Sequence, residues 1–115
     1  MDKIYNEMKI LQLLNGVNRI GIKRLISFLK KSDYFTAPCS THYHLNISGG
    51  LAQHSLNVYH LFKEKNKRYN LKLSNDSVAL CALLHDLCKI GFYKDTKDTK
   101  DTIDRTHLRR KKKPL

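Results

Sequence analysis

His54, His85 and Asp86 are the side chains of this 115-residue chain best suited to chemistry. His85 and Asp86 are adjacent and sit inside the apolar run VALCALLHDLCKIGFY, Val78 to Tyr93. His54 lies upstream in GGLAQHSLNVYHLF, Gly49 to Phe62. A histidine and an aspartate are costly in an apolar helix unless they are paired, hydrogen-bonded or bound to a metal. Two imidazole nitrogens and one carboxylate form a ligand set for a divalent cation. A lone histidine on an apolar face is ordinarily a core residue with its hydrogen bonds satisfied. The His-Asp pair downstream turns that reading toward a metal.

Helices must position these groups. Residues 2–15 read as a first helix with Ile4, Met8 and Leu11 on one face, broadened by Ile10 and Leu14, and with a stop at Asn15-Gly16. Residues 21–31 read as a second, its apolar face Ile22, Leu25, Ile26 and Leu29 and its other face basic. Residues 51–69 read as a third, with Leu51, His54, Val58, Leu61 and Phe62 on the inward face. Residues 75–90 read as a fourth, capped by Ser74 or Asn75 and apolar all round from Val78 to Leu84. The His-Asp pair then falls near the C-terminal end of a buried helix. Adjacent helical residues point about 100° apart, so one ion between their directions could take both.

The connection 32–50 is long and carries the breakers Pro38 and Gly49-Gly50. Its Tyr34, Phe35, Tyr43 and Leu45 predict a segment that packs. His42 and His44 could face the site or be ordinary loop histidines. After Tyr93 the triplet Lys-Asp-Thr repeats three times and gives way to RTHLRRKKKPL. This composition predicts a disordered basic tail over 94–115 beside a helical domain over 1–93.

Apolar residues make up 41% of the chain, enough for one small domain. No run of about 18 apolar residues and no signal-peptide pattern is present, so the expected location is the cytoplasm, with no membrane contact. An odd cysteine count argues against a disulfide framework. Cys81, His85 and Cys88 fall at helical spacing and could form a zinc site; small core cysteines are the simpler reading. The formal charge is +12, with its densest excess in 94–115: nine Lys/Arg against four acids. Such a chain meets polyanions readily. Codon bias toward lysine would leave the same excess without a partner.

The wording around these residues resembles the HD-domain metal-dependent phosphohydrolases, whose pattern is H…HD…D on an all-helical core. His54 matches the first histidine, and His85 with Asp86 the doublet; HDLCK, with Cys88 where glycine is common, is similar to the family's usual HD-hydrophobic-G-K. The lead-in DYFTAPCSTHYHLNISGG resembles phage and bacterial members and the HD part of some bacterial 3′-to-5′ exoribonucleases. The likeness spans roughly residues 32–93. It implies an all-α core of four to five helices and a divalent ion (Mn, Mg, Fe, Zn or Ni) on His54, His85 and Asp86. It also implies a pocket framed near His44, the position taken as substrate-binding. The family's last aspartate has no clear counterpart in the 29 residues after Asp86, as expected of a C-terminally truncated member.

Lys89 falls one turn past His85 and is the candidate catalytic and substrate-binding cation, a point charge that could steady a phosphate. Equally, it could be a charge stabilising a helix C-terminus. The expected activity is hydrolysis of a phosphate ester or anhydride in a nucleotide or nucleic acid. The alternatives are an inactive module that binds nucleotide, nucleic acid or a protein partner, and a fragment of a longer hydrolase with an exposed apolar face that a homodimer could cover.

Overall fold

A computed structural model describes residues 1–40, 45–95 and 108–110 of the chain. Four helices build the core: α1 (Lys3–Asn15), α2 (Ile22–Lys31), α3 (Gly50–Arg68) and α4 (Asn75–Leu84). A 3-10 turn, Leu87–Lys89, follows α4. Then β1 (Tyr93–Asp95) pairs antiparallel with β2 (Leu108–Arg110), Tyr93 opposite Arg110 and Asp95 opposite Leu108. The all-α core expected from periodicity is therefore present, with one short ladder that no sequence pattern announced. The rest of the expected disordered tail, including Asp98, Asp101 and Asp104, lies outside the described residues. Among the described residues no helix is long and apolar enough to cross a membrane.

Helix α3 packs chiefly on α4 and on α1, and α1 also meets α2. The core gathers Ile10, Leu14, Leu29, Tyr34, Leu51 and Leu83, all with no exposed surface, and extends through Ala79 and Ala82 of α4. Those two alanines let α4 come close to its neighbours. As predicted, Ser74 caps α4 by accepting a hydrogen bond from the Ser77 N–H. The described part of the 32–50 connection packs as expected, with Tyr34, Phe35, Ala37 and Cys39 buried; Tyr43 lies outside the described residues.

Four expectations about faces and bounds are corrected. In α1 the inward stripe is Asn6, Ile10 and Leu14, while Ile4 and Met8 are exposed. Apolar residues surround most of that helix, and a polar pair chooses its face: Asn6 Nδ2 donates to Gln53 Oε1 of α3 at 2.7 Å. In α3 the buried stripe is Leu51, Ala52, Ser55, Leu56 and Tyr59, leaving Leu61 in solvent and His54 at the edge. Cys81 and Cys88 are exposed rather than core residues, because α4 turns Val78, Ala79, Ala82 and Leu83 inward. Finally, α4 stops at Leu84 instead of 90, for reasons that lie in the site itself.

Candidate metal centre

Three segments deliver the site. The first is the stretch 36–39, laid along the start of α3 by backbone hydrogen bonds. Gly49 N–H donates to the Thr36 carbonyl at 3.0 Å, Leu51 N–H to Ala37 at 3.0 Å, and Cys39 N–H to Leu45 at 2.9 Å. The two glycines permit this approach. Gly49 takes a left-handed φ of 82°, which glycine adopts at little cost. At Gly50 any Cβ would run into the Leu45 carbonyl.

The second segment is the start of α3, whose second turn carries His54. The third is the end of α4. His85 is the C-cap, and its Nδ1 stands 2.7 Å from the Ala82 carbonyl. The neighbouring carbonyl, Leu83, accepts from the buried Tyr34 hydroxyl at 2.6 Å. Carbonyls in the last turn of a helix lack intrahelical partners, and these two are satisfied by side chains instead. Asp86 then leaves helical geometry at φ −108°, ψ 27°. The helix ends where its own histidine ring and Tyr34 close it, and the doublet swings toward α3.

His54 Nε2 lies 3.2 Å from His85 Nε2 and 3.5 Å from Asp86 Oδ2, and His85 Nε2 lies 3.2 Å from the same oxygen. With Nδ1 of His85 donating to Ala82, its Nε2 lone pair faces this triangle, the arrangement that orients a metal-ligating imidazole. A point about 1 Å off the triangle's plane is about 2.2 Å from all three atoms, a normal metal–ligand distance. Adjacent ligands stand about 3.1 Å apart on an octahedron and about 3.5 Å apart on a tetrahedron at such bond lengths, so either geometry is accommodated. The side chains are 29, 33 and 21% exposed in the order His54, His85, Asp86, so the centre opens to solvent.

Lys89 borders the triangle. Its Nζ donates to the Cys39 carbonyl at 2.7 Å and stands 3.4 Å from Asp86 Oδ2. The Tyr93 hydroxyl donates to the same Cys39 carbonyl at 3.2 Å. Burial alone would push Lys89 toward its neutral form, but the anionic forms of Cys39, Asp86 and Tyr93 and the bond to Asp86 outweigh it and raise its pKa. Burial also pushes the Cys39 thiol up, against the pull of the Lys89 ammonium. At neutral pH the thiol is therefore protonated, and the charge that faces Lys89 is that of Asp86.

The structure thus brings His54, His85 and Asp86 together and sets Lys89 beside them. His44, expected to bind substrate, and His42 lie outside the described residues. Sequence reasoning missed Cys39. Its sulfur, a His54 nitrogen and an Asp86 oxygen all lie within 4.8 Å of one another. No helical spacing announces it, since it reaches the site from a loop; its nearness to Pro38 and to the Gly-Gly lead-in was the one available hint.

The HD domain family model matches residues 51–113. The matched stretch takes in His54, His85 and Asp86 and continues through the basic segment that composition set apart. No curated protein matches the chain, and no solved structure does. The match covers more than half of the sequence and centres on the residues whose ligand atoms converge, so the chain belongs to the HD domain family.

Proposed function

We propose that the chain is a divalent-metal-dependent phosphohydrolase of the phage and bacterial kind, acting on a phosphate ester or anhydride in a nucleotide or at a nucleic-acid end. The observation that carries this reading is the triangle of His54 Nε2, His85 Nε2 and Asp86 Oδ2, with sides of 3.2–3.5 Å. A bound ion supplies a water of lowered pKa and polarises a phosphoryl oxygen. The chain's own groups do the rest. His85 is held in one tautomer by the Ala82 carbonyl. Asp86 and His54 fix the position of the ion. Lys89, 3.4 Å from Asp86 Oδ2, is the cation placed to steady a phosphate oxygen, and His44 is proposed to frame the pocket. Three free cysteines fit a cytoplasmic setting.

A second reading, a binding module without turnover, is favoured by one observation. The Lys89 ammonium already stands 3.4 Å from Asp86 Oδ2, so the carboxylate has a cation of its own. One experiment separates the two. The full chain is assayed for hydrolysis of bis(p-nitrophenyl) phosphate with Mn²⁺, alongside His54→Ala and Asp86→Ala. Hydrolysis that needs the ion and vanishes in both variants supports the enzyme. Nucleic-acid binding that persists in both, with no hydrolysis in any sample, supports the module.

A further inference from the structure

We propose that Cys39 completes the centre as a sulfur ligand, so that the site selects a borderline ion such as Zn²⁺, Fe²⁺ or Co²⁺ over Mg²⁺. The inference rests on the reading that His54, His85 and Asp86 hold an ion, and it names the fourth donor. Cys39 Sγ belongs with His54 and Asp86 to one group of ligand atoms within 4.8 Å. The residue is 7% exposed, and its backbone is held at both polar atoms: the N–H on Leu45, the carbonyl by Lys89 and Tyr93. The sulfur is then the one polar atom of the residue free to reposition, by rotation about χ1. A tetrahedral nitrogen–sulfur edge is about 3.5 Å, so the 4.8 Å bound on Cys39, His54 and Asp86 leaves at most about 1.3 Å to close, within the swing between staggered rotamers.

A second observation points to the same corner. The Lys89 ammonium stands 3.8 Å from Cys39 Sγ and 3.4 Å from Asp86 Oδ2. The space between sulfur and carboxylate is already shaped for a positive group. A divalent ion entering there displaces the ammonium, and the thiol proton leaves to solvent as the metal–sulfur bond forms. The donor set becomes two imidazoles, one carboxylate and one thiolate. Hard ions that prefer oxygen bind such a set poorly, whereas Zn²⁺, Fe²⁺ and Co²⁺ accept nitrogen and sulfur.

The test uses the full-length chain carrying Cys81→Ser and Cys88→Ser. Both positions are exposed, and their replacement leaves Cys39 as the sole thiol. Titration with Co²⁺ is followed by absorption. The expected result is a sulfur-to-cobalt charge-transfer band in the near ultraviolet together with visible d–d bands. Adding Cys39→Ser should remove the first, keep the second and weaken Co²⁺ by about tenfold or more. Zn²⁺ should compete with Co²⁺, and millimolar Mg²⁺ should not. X-ray absorption of the zinc-loaded chain should show one sulfur at about 2.3 Å, a readout that needs no further variant. Visible bands without a charge-transfer band, or a zinc shell without sulfur, overturn the inference while the His54–His85–Asp86 reading stands. No uptake of either ion overturns both.

Discussion

The Nε2 atoms of His54 and His85 stand 3.2 Å apart across 31 residues of sequence. The Ala82 carbonyl at His85 Nδ1 leaves the other ring nitrogen to face His54, and Asp86 Oδ2 lies within 3.5 Å of both. Two ring nitrogens and a carboxylate oxygen converge within 3.2–3.5 Å of one another, an arrangement that could hold one divalent ion. The relation is short enough that adding or removing a cation should be felt by the whole fold.

Metal should therefore stabilise the protein. At a free concentration about 100 times Kd, an ion that binds only the native state adds about 2.7 kcal/mol. For a domain of this size that is a rise in Tm of roughly 10–20 °C. Thermal melts with Zn²⁺ and Mn²⁺ should show it, and His54→Ala or Asp86→Asn should remove it. A chelator should return the wild-type chain to its metal-free melting temperature.

Lys89→Met should separate affinity from turnover. The ammonium lies 3.4 Å from Asp86 Oδ2, where it competes with an ion for the same oxygen. Removing it should tighten metal about tenfold, roughly 1.4 kcal/mol. If Lys89 also steadies the substrate phosphate, kcat/KM should fall by about tenfold or more in the same variant. Isothermal titration and steady-state kinetics read the two effects independently.

Tyr34 should make the fold sensitive to alkali. Burial, with the Asp86 charge adding to it and the nearby Ser55 hydroxyl easing it, pushes the phenol up from 10.0 to about 12. Ser55 Oγ makes no hydrogen bond of good geometry, so the effect of burial prevails. A pKa raised on folding means stability that is whole below pH 10 and declines as pH rises toward 12, by about 3 kcal/mol in all. Tyr34→Phe should flatten that decline. At neutral pH it should cost about 1–3 kcal/mol, because the Leu83 carbonyl loses its 2.6 Å donor. Urea melts from pH 7 to 11.5 would show both effects.

Two glycines should respond differently to alanine. A Cβ on Gly50 collides with the Leu45 carbonyl and crowds the Cys39 N–H, so Gly50→Ala must push Leu45 and the 36–39 stretch off α3. A loss of about 3 kcal/mol or more is expected, with metal affinity falling alongside. Gly91, unlike Gly50, has a positive φ, 68°, but a Cβ there meets nothing within 4 Å. Gly91→Ala should cost only the left-handed strain, about 1–2 kcal/mol, and leave metal binding unchanged.

Much of the site was legible in the sequence. A histidine on an apolar stripe and a His-Asp pair in an oily run are expensive in isolation, and that cost signals their convergence. The helices were legible too, because α2 separates apolar from basic faces and Ser74 marks the start of α4. Which face of α1 turned inward was not. Apolar residues lie on most of its sides, and the choice came from Asn6 meeting Gln53, a contact across 47 positions. The end of α4 was equally hidden, since Val78 to Tyr93 reads as one run. Only when Tyr34 reaches the Leu83 carbonyl and His85 turns onto Ala82 does the helix have a reason to stop. Cys39 was missed for the same cause. Local sequence determines periodicity and capping, because these depend on neighbours a few positions away. The fourth candidate donor, the tautomer of His85 and the partner of Lys89 depend on groups brought together by packing, which only the tertiary structure supplies.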